Sequence, residues 1–433
     1  MPPGYSSQGE YTAPVPHPLP ASRPAGPPRP RPRPVANYDV AVIGASLAGS
    51  VCAALLGRAG YRVLLIDKAT FPRTKICGEG LMPAGRKLLL DLGLGERLIR
   101  AGARDFSVLR FHLPNQRILA LDFSDGPVST PGCVLSRDTL DHLLVRFAAS
   151  QEGVEVREGC RLREARFRNH GVEMEIHSGD QNEVIQARAV VAADGIQSRL
   201  RAAAGIRCVS SASHRFALRR LYSSYAAAAR AVDVYCLQDS EAYVAPLSGG
   251  RARITLLTDK RRLPRSEGVE DLYESLLARF PEVLDRVKAG GQHSPVETTS
   301  PVSTRFSRCH GDRLILAGDA AGAVDPVTGQ GMTMALRDAH LSAQVLSHAL
   351  KTNQLTADSL QSYSCSREHY FLPTYRLSQQ LLTSLRYPWL AERARLALSR
   401  SAGLRTKVIA LAADPNPETV LSWIDQMRLV VGF

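Results

Sequence analysis

Apolar positions first cluster at Asp39 to Ile43, where an unbroken run with valines predicts a buried strand. Leu47 to Ala59 then sets Val51, Ala54 and Leu55 on one helical face, and Arg62 to Ile66 forms a second short apolar run. The order is that of a βαβ unit. Further along, Val154 to Arg157 reads as an isolated strand, Glu164 to Arg168 and Val172 to His177 alternate with a period of two, and Ala189 to Ala193 is again continuous. From about Ser213 to Thr304 alternation dominates. There Leu247-Ser248-Gly249-Gly250-Arg251 reads as a hairpin turn between Ala242 to Pro246 and Ala252 to Leu257. A buried run returns at Arg313 to Ala317 and feeds a long helix from near Gln330, and from about Leu341 the pattern is helical almost throughout.

Residues 1 to 36 break this regularity with a Pro-rich stretch carrying Arg23, Arg29, Arg31 and Arg33, a composition that predicts a disordered, extended tail. The remaining chain is long enough for two cores. Its 44% hydrophobic and 22% charged residues are those of an ordinary globular protein. No stretch approaches the roughly 20 apolar residues that cross a bilayer, and the start lacks a secretory signal, so a cytoplasmic protein is expected. Eight cysteines without a C-x-x-C pair predict reduced thiols and no zinc site. The net charge of +13 is spread along the chain, which predicts a solvated basic surface and no nucleic-acid partner. The histidines, among them His112, His142, His214 and His310, are too scattered in sequence to suggest a metal site.

Gly44-Ala45-Ser46-Leu47-Ala48-Gly49 joins the first strand to the first helix, the position at which a helix N-terminus can face a pyrophosphate. Ser46 stands where the fingerprint usually has its middle glycine. Asp67, with Lys68 beside it, closes the second strand at the distance from the glycines where a carboxylate receives a ribose hydroxyl. Two more segments follow buried runs: Ala192-Ala193-Asp194-Gly195-Ile196-Gln197-Ser198-Arg199-Leu200-Arg201 and Leu316-Ala317-Gly318-Asp319-Ala320-Ala321-Gly322.

Three motifs in this order resemble those of the single-component FAD monooxygenases related to p-hydroxybenzoate hydroxylase, and of their neighbours the geranylgeranyl reductases and flavin halogenases. The resemblance spans about residues 37 to 345 and implies an α/β fold. Its parts are a Rossmann-type FAD-binding domain (37–205, returning at 308–345), an inserted antiparallel β-sheet substrate domain (206–307) and a helical C-terminal region (346–433). It implies that Asp319, beside Gly318, accepts the flavin ribityl hydroxyls, and that Asp194 and Gly195 lie near the pyrophosphate. Arg137 matches an arginine that contacts FAD. Pro326, Gly329, Gly331 and Met332 would set a helix start against the flavin pyrimidine, where a positive helix end suits the negative charge of reduced flavin.

Phe71 to Pro83 resembles the segment that lies against the flavin in the reductase and halogenase branch, making Cys77 a candidate beside the reacting atoms. Tyr243 and Pro246 fit the sheet motif of those branches. Ala245 stands where both have tryptophan, which counts against halogenation and, less so, against prenyl reduction. With Cys77, Tyr243 and Pro326 as the catalytic candidates, the resemblance implies an FAD-dependent monooxygenase. Such an enzyme takes NAD(P)H as a transient reductant, adds oxygen at flavin C4a and transfers it to a small apolar or aromatic substrate. The alternatives are a reductase of isoprenoid double bonds and a non-catalytic binding protein. Basic and apolar residues alternate in Trp389 to Leu398 and Lys407 to Leu411, a pattern able to lie on a membrane surface.

Overall fold

The computed structural model describes residues 37–432, apart from 128–129, 212–213, 226–229, 264–265, 289–291, 301 and 416–420. The Pro-rich segment 1–36 therefore lies outside the described residues. The expected βαβ unit is present: strand β1 (Asn37–Ile43), helix α1 (Leu47–Arg58) and strand β2 (Val63–Ile66), with the two strands parallel. Both are buried on both faces, so each reads as a continuous apolar run rather than an alternation.

Around β1 a larger sheet is built. Gln181–Ala192 pairs parallel with β1 on one side and Leu314–Leu316 lies beyond it, while Val154–Arg157 flanks β2 on the other. Five neighbouring strands are thus parallel, and all five end on the same edge of the sheet. In such sheets ligands bind outside the carboxyl ends of the strands. The alternating segments foreseen near 164 and 172 are the antiparallel strands Cys160–Arg168 and Gly171–Ser178, which extend the sheet as a ribbon from Gln181–Ala192.

Over that edge stands a seven-stranded sheet. Its antiparallel heart runs Glu297–Thr299, Arg215–Tyr222, Ala252–Asp259, Ser240–Pro246 and Ala231–Cys236, and it includes the expected hairpin around Gly249 and Gly250. Two further strands, Val108–His112 and Ile118–Asp122, complete it, the former pairing parallel with Ala231–Cys236. The boundaries read from sequence assign 108–122 to the nucleotide domain, and the pairing moves them to the inserted sheet. Cys208–Ser211 instead joins Thr304–Phe306 and Gly322–Ala323 in a small sheet between the two large ones.

Helix Gly331–Thr352 crosses behind the parallel sheet and packs on α1, so a boundary at residue 345 cuts through one element. Helices Ala357–Arg386, Pro388–Arg400, Ala402–Ala413 and Trp423–Val431 complete the chain. Of the two C-terminal segments able to lie on a surface, Lys407 to Leu411 buries Ile409 and Leu411, while Lys407 stays exposed and is ion-paired to Asp425 at 2.9 Å. Among the described residues no helix is long and apolar enough to cross a membrane.

Candidate active site

A cavity of about 580 Å³ fills the space between the carboxyl edge of the parallel sheet and the seven-stranded sheet. Its floor comes from the turns that leave three parallel strands: Ser46 to Ala48, Ala193 with Gly195 and Ile196, and Ala317 to Asp319. The start of the Gly331 helix closes one side through Pro326, Gly329, Gly331 and Met332.

The first turn depends on two glycines. Gly44 sits at φ +104°, and a Cβ there would strike the Ala193 carbonyl; a Cβ at Gly49 would overlap the carbonyl oxygen of Gly44 itself. With both bare, α1 begins directly over the cavity. Ser46 is its N-cap, yet the serine makes no capping bond, and the first turn contains no acid. Its hydroxyl is taken elsewhere: Arg137 Nη2 donates to it at 2.7 Å, and it donates to Asp141 at 3.2 Å. Arg137 is buried and bound to Asp141 at 3.0 Å, where Arg73 also pairs at 2.9 Å. The serine that departs from the glycine fingerprint thus seats a buried arginine. The N–H groups that every helix start leaves over remain directed at the cavity.

The Gly331 helix repeats the device. Its N-cap Gln330 makes no capping bond, its side-chain nitrogen instead donating to the Ala412 carbonyl at 2.6 Å, and no acid stands in its first turn. Two helix N-termini therefore point positive ends at one cavity. Between them Asp319 is about one-third exposed, its carboxylate 3.2 Å from the Lys75 ammonium. That neighbour holds the Asp319 carboxyl below the usual carboxylate range. A pyrophosphate, a polyhydroxy chain and an anionic ring edge are the groups this arrangement accommodates, and FAD carries all three.

Not every residue singled out in the sequence reaches the cavity. Gly44 and Gly49 shape the turn from behind. Asp67 is buried and accepts from the N–H groups of Ala45 (2.8 Å) and Ala69 (2.9 Å), bracing the turn, while Lys68 is exposed. Asp194 accepts from the Arg199 N–H at 2.9 Å, so its carboxylate shapes its own turn and only its neighbours line the cavity. Pro246 stays in its strand, opposite Ala252. Cys77, Tyr243 and Pro326 do line the cavity.

Sequence reasoning missed the clamp that holds the 75–79 segment under the sheet. Glu79, 1% exposed, meets Arg219 at 3.1 Å and Arg253 at 3.2 Å; Arg219 also donates to the Lys75 carbonyl at 2.8 Å and to Glu297 at 2.6 Å. Burial pushes the Glu79 carboxyl upward, opposed by the Arg253 and Arg219 charges. Four isolated polar letters, 79, 219, 253 and 297, carry no local pattern. Only strand register brings them together.

That register also lays out the roof. Val234, Tyr243, Thr255, Arg219 and Glu297 are successive cross-strand partners, a single row that grades from apolar to ionic. Phe106, Leu109, Phe111, Val232 and Leu257 surround its apolar end. Among the described residues every carboxylate lining the cavity (Glu79, Glu297 and Asp319) is ion-paired. The hydroxyls of Tyr243 and Thr255 are buried and have no hydrogen-bond partner among the described residues. The histidines stand outside the cavity: His112 binds Asp233 at 2.8 Å and stacks on Tyr235, and His310 meets Ser364 at 2.6 Å. Among the described residues no group of side chains could hold a metal ion.

A parallel sheet with two uncapped helix starts and one anionic anchor over its carboxyl edge defines a dinucleotide-binding flavoprotein. Residues 37–371 match the family model described as an FAD binding domain, and the chain belongs to that family. It is an FAD-dependent oxidoreductase. Among curated relatives it is 28% identical over 372 residues to digeranylgeranylglycerophospholipid reductase 1 of Methanopyrus kandleri, covering 81% of this chain and 91% of that protein. It is 25% identical over 358 residues to the 1H-pyrrole-2-carbonyl-(peptidyl-carrier protein) chlorinase of Pseudomonas fluorescens, covering 76% and 79%. A solved flavoprotein/dehydrogenase from Cytophaga hutchinsonii shares the fold with a TM-score of 0.80 at 19% identity, over 91% of this chain and 99% of that one.

Asp319→Ala is expected to weaken FAD retention about 10- to 100-fold, the worth of a hydrogen bond to a charged group. Fluorescence titration of the apoprotein with FAD measures it. Wild-type affinity in the variant would show that the anchor lies elsewhere.

Proposed function

We propose that this protein is a flavin-dependent reductase that saturates carbon–carbon double bonds of an apolar, isoprenoid-like substrate, with NAD(P)H as the transient source of electrons. One observation carries the reading: among the described residues all ionic groups lining the cavity are engaged in pairs, while the hydroxyls of Tyr243 and Thr255 in its roof are buried without a hydrogen-bond partner. Bound and reduced FAD supplies a hydride. Saturating an alkene then needs one proton, and a neutral hydroxyl in a dry chamber holds one ready.

Burial pushes the Tyr243 phenol well above the usual tyrosine range, so it stays protonated at neutral pH. The roof row sets Tyr243 between Val234 and Thr255, and Phe106, Phe111 and Leu257 line the cavity and exclude water around the reacting carbons. Pro326 and Gly329 shape the turn on the opposite wall. Lys75 and Arg137 neutralise negative charge near Asp319 and the α1 start.

Oxygen transfer to an aromatic substrate, the reading the sequence first favours, gains from a side-chain base that can ionise a phenol. No unpaired carboxylate or histidine lines this chamber among the described residues. Tryptophan is absent from it too, which counts against halogenation more than against prenyl reduction. A relative that is a reductase of geranylgeranyl lipids supports the same direction.

Turnover of prenylated alkenes under argon in deuterium oxide tests the proposal. The expected product gains two hydrogens, one of them solvent deuterium, and no oxygen. Tyr243→Phe should lower kcat about 100-fold with little change in KM. Product formed only in air, carrying isotopically heavy oxygen supplied as gas, would establish a monooxygenase instead.

A further inference from the structure

The last helix, Trp423–Val431, is amphipathic in an unusual sense: its apolar stripe faces outward. At about 100° per residue Trp423, Ile424, Met427, Val430 and Val431 fall on one arc of roughly 120°. Their exposures are 74, 49, 50, 44 and 39%. The opposite side is the one that packs. Asp425 is buried, receives the Lys407 ammonium and closes a capping box with Ser422, and Leu429 joins Ala397, Leu398 and Leu404.

The neighbouring helix, which packs on this one, exposes apolar side chains as well. Tyr387 and Trp389, at the start of Pro388–Arg400, are 47 and 54% exposed. Seven of the twelve large apolar side chains exposed among the described residues thus belong to residues 387–431. The sequence holds only two tryptophans, and both are among them. An apolar face of this extent on a charged protein marks an interaction surface.

Charge selects the partner. Arg386, Arg393 and Arg428 are exposed beside the patch, with Arg393 stacked over the Trp389 ring at 5.1 Å. The carboxylates nearby are neutralised: Glu392 binds Arg395 and Arg117, and Asp425 binds Lys407. A second copy seated on this face by two-fold symmetry would bring the same arginines together. An anionic bilayer takes the arginines at its headgroups and the tryptophans and tyrosine at its interfacial layer. The overall charge of +13 draws the protein to such a surface.

We propose that the outward face of helix Trp423–Val431, with Tyr387 and Trp389, docks the protein on an anionic membrane surface. The helix lies in the interface plane and does not cross it. This inference stands apart from the reading of the reaction, because it uses none of the cavity residues.

The test uses the FAD-loaded full chain. Vesicles of phosphatidylglycerol mixed with phosphatidylcholine should pellet it and shift tryptophan emission to shorter wavelength, since both tryptophans lie on the face. Phosphatidylcholine alone, or high salt, should bind it far less. The triple variant Trp423→Ser, Ile424→Ser, Met427→Ser should keep its FAD and far-ultraviolet circular dichroism yet bind anionic vesicles at least about tenfold more weakly. Three results would overturn the proposal. One is no pelleting of the wild type with anionic vesicles. Another is undiminished binding by a folded triple variant. The third is a wild-type dimer that the triple variant splits, without vesicle binding by either.

Discussion

Gly49→Val is expected to yield a colourless protein that neither retains FAD through gel filtration nor takes it up afterwards. The cause is geometric. A Cβ at residue 49 falls inside the carbonyl oxygen of Gly44, and the next nearest atoms are the Gly44 carbonyl carbon and the Ala193 side chain. Backbone on one side and a neighbouring strand end on the other leave nothing flexible to yield. Either α1 lifts off β1 or the turn opens, and both aim the helix start away from the cavity. Overpacking of this kind costs about 1–3 kcal/mol and more where backbone must move. The loss of cofactor should therefore come with a lowered thermal midpoint of the apoprotein. A yellow Gly49→Val protein with wild-type stability would show that this turn does not position the nucleotide.

Asp338→Ala is expected to destabilise the fold by about 3–5 kcal/mol and to release FAD, although residue 338 does not line the cavity. Asp338 is fully buried on the Gly331 helix. It accepts from the Gly318 N–H at 2.8 Å, from Arg367 Nε at 3.0 Å and from the Tyr370 hydroxyl at 2.7 Å. Arg367, itself buried, also donates to the Gly322 carbonyl at 3.2 Å and lies over the Phe371 ring. One carboxylate thus ties the turn that presents Asp319 to its own helix and to the helix Ala357–Arg386. Removing it leaves a buried guanidinium without its counter-charge. The double variant Asp338→Ala, Arg367→Met should recover part of the loss, because the orphaned charge goes with it. Urea unfolding of the three proteins, followed by circular dichroism, measures this. A single variant within about 1 kcal/mol of wild type would show the pair to be dispensable.

What could be read from the sequence depended on how far apart the cooperating residues lie. The unit from Tyr38 to Asp67 was legible because strand, glycine turn and helix are adjacent and each leaves a local trace, as Val40 to Ile43 and Gly44 to Gly49 do. The turns at 194 and 318 were legible for the same reason. The strand Val108–His112 was not assigned to its sheet, because its partner Ala231–Cys236 lies more than a hundred residues away and period-two alternation names no partner. Asp338 and Arg367 each look like an ordinary polar residue on a helix. The clamp of Glu79 on Arg219 and Arg253 is invisible until register aligns the strands. The outward face of Trp423 to Val431 illustrates a different limit: amphipathic spacing reveals a stripe, but the side on which the protein packs is decided by Asp425 and Leu429 meeting the neighbouring helices.

The most direct measurement is made without oxygen. The FAD-loaded protein is reduced to the colourless form under argon, and a prenylated alkene is added while the yellow absorbance of oxidised flavin is followed. Colour should return as the alkene is added, with saturated product formed in proportion. A protein that stays colourless with every alkene offered and turns yellow only when air is admitted would contradict the proposed reduction.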